Sequence, residues 1–138
     1  MDKGVAKIFA DGGSRGNPGP AGAGAVINVG SETVASLSQF LGHTTNNVAE
    51  YTGLLLGLEK ASELGFKHVE VAMDSELVVK QMKGEYRVKN EKLLPLFEKA
   101  RRLAATFASF KIVHVKREYN RAADRLANQA MDMANSSS

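Results

Sequence analysis

The chain alternates between short segments rich in apolar residues and longer stretches in which apolar residues recur at helical spacing. In the first apolar segment, residues 5–11, apolar side chains fall on both faces, which indicates a central strand. The other predicted strands are residues 21–29, 33–41, 67–74 and 110–115. Gly and Pro residues between 12 and 19 predict a turn region, and residues 28–31 predict the turn of a hairpin.

Four helices are predicted between and after these strands. Asn47 is a candidate cap with Glu50 three residues later, so a helix should begin there and run to about Leu64. Gly53 and Gly57 lower its helix propensity, and they indicate a face that packs closely on the sheet. The other predicted helices are residues 75–83, a segment from a candidate cap at Asn90 to about Phe107, and a segment after a cap at Asn120. Pro95 indicates that the first turn of the second of these is irregular, or that this helix starts later.

The order of predicted elements, β-β-β-α-β-α-α-β-α, implies an α/β fold built on a five-stranded mixed sheet. The first three strands should be antiparallel, the last two should be parallel to the first, and helices should flank both faces. Parallel strands present their carboxyl ends at one edge, so Asp11 and Asp74, each ending such a strand, should be neighbours. One domain should span residues 1–135, followed by a disordered tail at 136–138.

Composition narrows the class of protein. The 138 residues are 43% hydrophobic, which is enough for one domain with a core. The chain has no Cys, which excludes disulfides, thiolate nucleophiles and cysteine metal sites. Its first residues are too few and too polar for a signal sequence, and no stretch approaches a membrane span. We expect a monomeric, cytoplasmic protein that makes no membrane contact.

Charge is unevenly distributed along the chain. Residues 1–79 contain 5 Lys or Arg and 9 Asp or Glu, whereas residues 80–138 contain 13 and 6, so the two parts carry −4 and +7. A basic part beside an acidic site suits a polyanion that must approach a metal-loaded centre. The alternative is that the cations form ordinary solvated helix faces, and charge alone favours that alternative.

Four carboxylates stand where they are useful to chemistry. Asp11 and Asp74 end predicted strands, whereas Glu50 and Asp124 lie near the starts of predicted helices. Taken singly, each acid fits equally well as a turn residue, a helix cap, a dipole partner or a surface ion pair. Gathered together, the four would repel one another without a cation, and hard oxygen ligands favour Mg²⁺ or Mn²⁺. Their convergence would indicate metal-assisted phosphodiester chemistry.

Several segments together resemble the type 1 ribonucleases H, enzymes that cut the RNA strand of RNA/DNA hybrids. The segments that carry the resemblance are 9–19, 44–50, Asp74-Ser75, Lys89-Asn90 and 120–127. Each is a weak signal alone, but their order and spacing match the family from Ile8 to about Ala130. The resemblance implies the ribonuclease H-like fold and largely sequence-independent cleavage, because amides and backbone read little base identity in the minor groove.

The resemblance also implies roles for the four acids. Asp11 would bridge two Mg²⁺ ions, for which Mn²⁺ can substitute. Asp124 would help to hold the ion that activates water, and Glu50 and Asp74 would help to hold the ion at the leaving 3′ oxygen. Products in this family carry 5′-phosphate and 3′-hydroxyl ends, and no Ser, Cys or His nucleophile is needed.

Substrate contacts follow from the same resemblance. The Gly12-Gly13-Ser14 backbone and the Glu50 carboxylate would contact RNA 2′-hydroxyls, the group that separates RNA from DNA. The remaining implied contacts are Asn17, Asn46 and Asn47 in the minor groove, and Thr45 and Asn90 at a phosphate of the DNA strand. The alternative is that Asn17 serves as a turn residue and Asn47 as a helix cap, roles that could coexist with binding.

The chain departs from better-known members of the family at several positions. The basic protrusion that many carry is replaced by a short link at residues 83–90, so hybrid affinity should be modest. His43 stands where many have Arg, and it would hold a phosphate less firmly and more pH-dependently. The loop His is missing; Arg117 is the nearest substitute and a poor proton shuttle, while Glu118 could assist metal exchange instead. Glu76 replaces an amide, which puts one groove contact in doubt.

The hypothesis favoured by these patterns is a Mg²⁺-dependent endoribonuclease that acts on RNA/DNA hybrids and removes replication primers and R-loops. One alternative is another nuclease or a transposase-like member of the same fold superfamily, against which the 12–19 and 44–50 segments argue. A second alternative is a module that binds hybrid or duplex RNA without cleaving it. The start of the chain and its Ser-rich end favour a free-standing enzyme over a fragment of a reverse transcriptase polyprotein.

Overall fold

The computed structural model describes residues 3–136, which form one sheet flanked by helices. The strands are β1 (Val5–Ser14), β2 (Gly19–Val29), β3 (Glu32–Thr44), β4 (His68–Met73) and β5 (Ser109–His114). The helices are α1 (Asn46–Glu63), α2 (Glu76–Met82), α3 (Leu94–Ala105) and α4 (Arg121–Ser136), with a 3₁₀ turn at Arg117–Tyr119. Ser136 thus belongs to α4, and the rest of the predicted disordered tail lies outside the described residues.

The sheet has the predicted mixed topology, with strand order β3-β2-β1-β4-β5. β1 pairs with β2 in the antiparallel sense and β2 pairs likewise with β3, whereas β4 and β5 run parallel to β1. β1 is therefore central, as its two apolar faces predicted, and its Ala6, Ile8 and Ala10 are fully buried.

α1 packs on one face of the sheet through glycines. A Cβ on Gly53 would lie 2.3 Å from the Asp11 carbonyl oxygen, and one on Gly57 would lie 2.5 Å from a methyl of Ile8. Only residues without a side chain let the helix lie this close to β1. The close-packing face predicted from these two glycines is confirmed.

α4 packs on the opposite face, where the small residues belong to the sheet. A Cβ on Gly22 would lie 2.5 Å from the carbonyl oxygen of Ala127, and one on Gly24 would lie 2.6 Å from that of Ala123. The first turn of α4 is therefore held tightly over β2 and beside β1. No helix among residues 3–136 is long and apolar enough to cross a bilayer.

Two sequence predictions about β1 and α1 are wrong. β1 does not end at Asp11 but continues to Ser14, because its antiparallel pairing with β2 extends to Ser14 and Ala21. Asn47 does not cap α1; the cap is Thr45, whose hydroxyl accepts a 3.3 Å hydrogen bond from the Val48 amide.

Two further caps were also predicted wrongly. Asn90 accepts a 2.8 Å hydrogen bond from the Lys92 amide in a turn, and α3 begins later, at Leu94 with Pro95 in its first turn. Asn120 does precede α4, but its side-chain oxygen is buried without any hydrogen-bond partner among the described residues. Its amide nitrogen instead donates hydrogen bonds to Ala10 and Asp74.

Candidate active site

Asp11 lies on β1 just beyond the end of that strand's parallel pairing. β1 and β4 pair as far as Phe9 and Ala72, so Asp11 lies just beyond the carboxyl edge of the parallel strands. Gly12 faces α1, because a Cβ there would lie 2.1 Å from the Ala49 carbonyl oxygen. Side chains alternate along a strand, so Asp11 points to the other face, toward the start of α4. Only 8% of Asp11 is exposed.

The four predicted acids line a single cleft of about 200 Å³. β1 contributes Asp11, α1 contributes Glu50 from its first turns, and Asp74 follows β4 directly. Asp124 completes the set from the first turn of α4. The rest of the lining is Gly12, Gly13, Arg117, Ala127, Asn128 and Met131. The structure thus brings together side chains that are distant in sequence, and their roles remain predictions.

A buried amide holds Asp74 in place. The Asn120 side-chain nitrogen donates a 2.9 Å hydrogen bond to an Asp74 carboxylate oxygen and another of 2.9 Å to the Ala10 carbonyl oxygen. Asn120 is 1% exposed. Its two hydrogen bonds link β1 and the residue that follows β4 to the start of α4. Sequence reasoning predicts only a helix cap for Asn120, since nothing in the local sequence marks a contact with Ala10.

Burial, with the crowding of like charges, favours the protonated forms of two acids in the cleft. Burial, the negative charge of Asp74 and a hydrogen bond with the Asp124 carboxyl group raise the pKa of Asp11 to about 8. Burial, together with the charge of Asp74, also raises the pKa of Glu50 to about 7, although a hydrogen bond from the Ser75 hydroxyl opposes the shift. Without cations, the cleft therefore holds protons at neutral pH.

The donor set fits divalent hard cations. All four acids offer carboxylate oxygens, and the raised pKa values of Asp11 and Glu50 show how poorly their negative charge is compensated. Among residues 3–136, no group of three or more His, Cys, Asp or Glu side chains is already arranged to hold a metal ion. Mg²⁺ usually keeps several waters and is bound through one or two carboxylates together with a substrate phosphate.

Arg117 lies at the rim of the cleft, where sequence comparison placed the substitute for the missing loop His. Its guanidinium lies 3.6 Å from an Asp124 carboxylate oxygen, and 76% of its side chain is exposed. A pair this exposed contributes little to stability, at most about 1 kcal/mol. The arginine is therefore free to exchange Asp124 for another anion.

The predicted substrate-binding residues lie in three places. Gly12 and Gly13 line the cleft. Asn46 and Asn17 instead hold the loop to the start of α1: the Asn46 side chain accepts a 2.7 Å hydrogen bond from the Ser14 amide, and the Asn17 side chain accepts one of 3.1 Å from the Asn46 amide. These bonds use one oxygen of each amide and leave the amino groups available for a ligand.

The other predicted contacts lie outside the cleft. Thr45 caps α1, Asn47 lies in its first turn, and Asn90 lies in the turn before α3. Sequence reasoning missed Asn128, whose amide donates a 2.9 Å hydrogen bond to the Asp124 carbonyl oxygen and lines the cleft. Its position four residues after Asp124 was the available signal, because such residues share a helix face.

Comparison with known proteins gives one family. Residues 9–130 match the family model described as reverse transcriptase-like. A protein of Mycobacterium tuberculosis described as bifunctional is 52% identical over 129 residues, covering 92% of this chain and 35% of that protein. A Halobacterium salinarum protein named ribonuclease HI is 42% identical over 127 residues, covering 91% of this chain and 64% of that one. The chain thus spans about a third of the mycobacterial relatives.

Solved structures agree closely with this fold. The N-terminal RNase H domain of the mycobacterial protein superposes with a TM-score of 0.94 at 50% identity, covering 98% of this chain and 99% of that one. LC11-RNase H1 in complex with an RNA/DNA hybrid superposes with a TM-score of 0.88 at 44% identity, covering 94% and 98%.

Proposed function

The chain belongs to the reverse transcriptase-like family and within it to the type 1 ribonucleases H, and we propose that it hydrolyses the RNA strand of RNA/DNA hybrids. The observation that carries the proposal is the cleft in which Asp11, Glu50, Asp74 and Asp124 meet at the carboxyl edge of the parallel strands. The relative solved with an RNA/DNA hybrid supports the substrate class.

Two divalent cations, Mg²⁺ or Mn²⁺, complete the proposed site. Asp11, Glu50, Asp74 and Asp124 would hold them, and the bound ions would supply a nucleophile at neutral pH and neutralise the charge on the attacking and leaving oxygens. The raised pKa values of Asp11 and Glu50 support this, since both carboxyl groups lack compensating positive charge in the protein itself.

The chain's own residues position the acids. The Asn120 amide fixes one oxygen of Asp74, the Ser75 hydroxyl donates to Glu50, and burial restricts Asp11. Catalytic groups held in this way need little reorganisation during reaction. The proposed products carry 5′-phosphate and 3′-hydroxyl ends.

Recognition in this proposal reads the sugar and not the base. The backbone of Gly12 and Gly13 reaches the cleft surface without side chains, so RNA 2′-hydroxyls can approach it. The Asn17 and Asn46 amino groups lie beside this loop and would contact the minor groove with little base preference. The proposal extends to a monomeric cytoplasmic enzyme that removes replication primers and R-loops.

The deciding experiment measures hybrid binding and the cleavage of an end-labelled strand in RNA/DNA hybrid, double-stranded RNA, single-stranded RNA or duplex DNA, with Mg²⁺, Mn²⁺ or EDTA. We expect hybrid-specific cleavage of the RNA strand that requires metal and is lost in Asp11→Asn and in Glu50→Gln. Glu63→Gln is the matched control for Glu50→Gln, because Glu63 lies on the same helix with its side chain 70% exposed, far from the cleft. Hybrid binding without cleavage under any metal would instead establish a binding module, and duplex DNA cleavage would indicate a different nuclease of this fold.

A further inference from the structure

A second groove adjoins the four-acid cleft at the start of α4. It has a volume of about 610 Å³ and shares Arg117, Asp124 and Asn128 with the cleft. Glu118, Arg121 and Arg125 complete its lining. The groove is thus continuous with the cleft, and three guanidinium groups lie along it.

Arg121 and Arg125 have no anionic partner among residues 3–136. Neither forms an ion pair with any residue of the described chain, and both are exposed. Arg117 lies 3.6 Å from an Asp124 carboxylate oxygen. The other carboxylate of the groove, that of Glu118, pairs with neither Arg121 nor Arg125. Two of the three arginines of the groove therefore form no ion pair within the described chain.

This placement is unfavourable for the free helix in two ways. Arg121 is the first residue of α4, where the helix dipole disfavours a cation. Arg121 and Arg125 are four residues apart on one helix face, a spacing at which like charges repel. Departures from local stability rules of this kind are expected at functional sites, where a ligand supplies the missing interaction.

We propose that Arg121 and Arg125 bind two successive backbone phosphates of the strand being cut, beyond the phosphate over the four acids. The inference rests on the proposed function, because the strand that crosses the cleft is the one that can continue into the groove. Four helical residues advance about 6 Å, and charges recur on one strand about every 3.4 Å of duplex axis, so the two arginines span about two phosphates. Guanidinium forks suit phosphate oxygens.

The test is the salt dependence of hybrid binding, measured by fluorescence anisotropy in the Asp11→Asn background so that no strand is cut. Removing both arginines, as Arg121→Gln with Arg125→Gln, should lower the slope of log affinity against log salt by about 1.8, since each phosphate contact contributes about 0.9. Between 50 and 200 mM salt, the parent protein should therefore lose about tenfold more affinity than the double variant.

The matched control removes two arginines elsewhere, as Arg101→Gln with Arg102→Gln. These exposed residues lie near the end of α3, which leads into the start of β5 and thus lies at the opposite end of the parallel strands from the cleft. The slope should not change. Gln keeps the helix propensity of Arg, so the melting temperature of the groove variant should not fall. A fall would show that the arginines serve the fold, and would overturn the inference.

A chemical substitution in the substrate identifies the strand. A hybrid whose DNA strand carries neutral methylphosphonate linkages should still distinguish the parent from the groove variant by the same factor. If neutral DNA linkages abolish that difference, the arginines bind the DNA strand and the inference is wrong. With the acids restored, the groove variant should cleave hybrid with a raised KM and a kcat within about twofold of the parent.

Cleavage by the unmodified chain separates the two proposals. If it cuts hybrid but the groove variant keeps the parental salt slope, the groove inference fails and the proposed function stands. If it cuts no hybrid but the slope still falls by the expected amount, the proposed function fails and the groove remains a phosphate-binding surface.

Discussion

Gly53 connects packing to the chemistry of the cleft, and replacing it with Ala should impair both. The new methyl would lie 2.3 Å from the Asp11 carbonyl oxygen, whereas ordinary contact begins at 3.4 Å. Because the obstacle is backbone of the central strand, α1 must move away by about 1 Å. Glu50 lies one helical turn from Gly53, so the same movement displaces its carboxylate from Asp11.

The expected losses of stability and of activity in Gly53→Ala follow from this displacement. Overpacking costs about 1–3 kcal/mol, and the better helix propensity of Ala offsets about 1 kcal/mol, so the free energy of unfolding should fall by at most about 2 kcal/mol. A misplacement of about 1 Å among reacting groups can cost on the order of 100-fold in rate. We therefore expect kcat/KM for hybrid cleavage to fall by about that factor.

Gly57→Ala distinguishes the local effect from general damage. Its methyl would lie 2.5 Å from a side-chain methyl of Ile8, one helical turn further from Glu50, so it should lower stability but spare most activity. Urea unfolding followed by circular dichroism gives the stabilities. Cleavage rates below KM are then compared at a temperature where both variants are folded. Equal activity losses in Gly53→Ala and Gly57→Ala would refute the reasoning.

Two more predictions concern protons and the buried amide. The pKa of Asp11 is raised from 3.8 to about 8 in the folded protein, so between these pH values the folded state holds a proton that the unfolded state has lost. In EDTA, the free energy of unfolding should therefore decline from pH 4 to 8. Urea titrations should show a smaller decline for Asp11→Asn. Asn120→Ala leaves the Ala10 carbonyl oxygen and Asp74 without their donor, so urea unfolding should show a loss of about 1–3 kcal/mol; a loss below about 0.5 kcal/mol would contradict that role.

The sheet could be predicted from the sequence because its signals are local and repeated. The apolar segments predicted the order of elements, and the glycines of α1 predicted its close packing on the sheet. The common direction of the parallel strands predicted that Asp11 and Asp74 are neighbours. The ends of the elements were less predictable. β1 runs three residues past Asp11 because β2 continues to pair with it, and this depends on a strand distant in sequence.

The predicted helix caps were wrong for a similar physical reason. Thr45, Asn46 and Asn47 are consecutive residues that can all cap a helix, so the local pattern does not choose between them. In the structure, Asn46 is recruited by the Ser14 amide, and Thr45 takes the cap. Asn120 was likewise expected to serve its own helix, but it donates to Ala10, 110 residues away. Tertiary hydrogen bonds overruled the local preference in both places.

The same corner of the molecule gathers several interactions that cost stability. Asp11 is buried and Glu50 is half-buried beside another acid. The Asn120 side-chain oxygen has no partner within the described chain, and Arg121 and Arg125 repel each other on α4. Pairing these arginines with the acids would remove much of that cost inside the protein. It would also occupy the groups that a divalent cation and a phosphate backbone need. Arg121 and Arg125, kept along the groove and unpaired with the acids of the cleft, are therefore more useful to a nuclease than the same charges paired with each other.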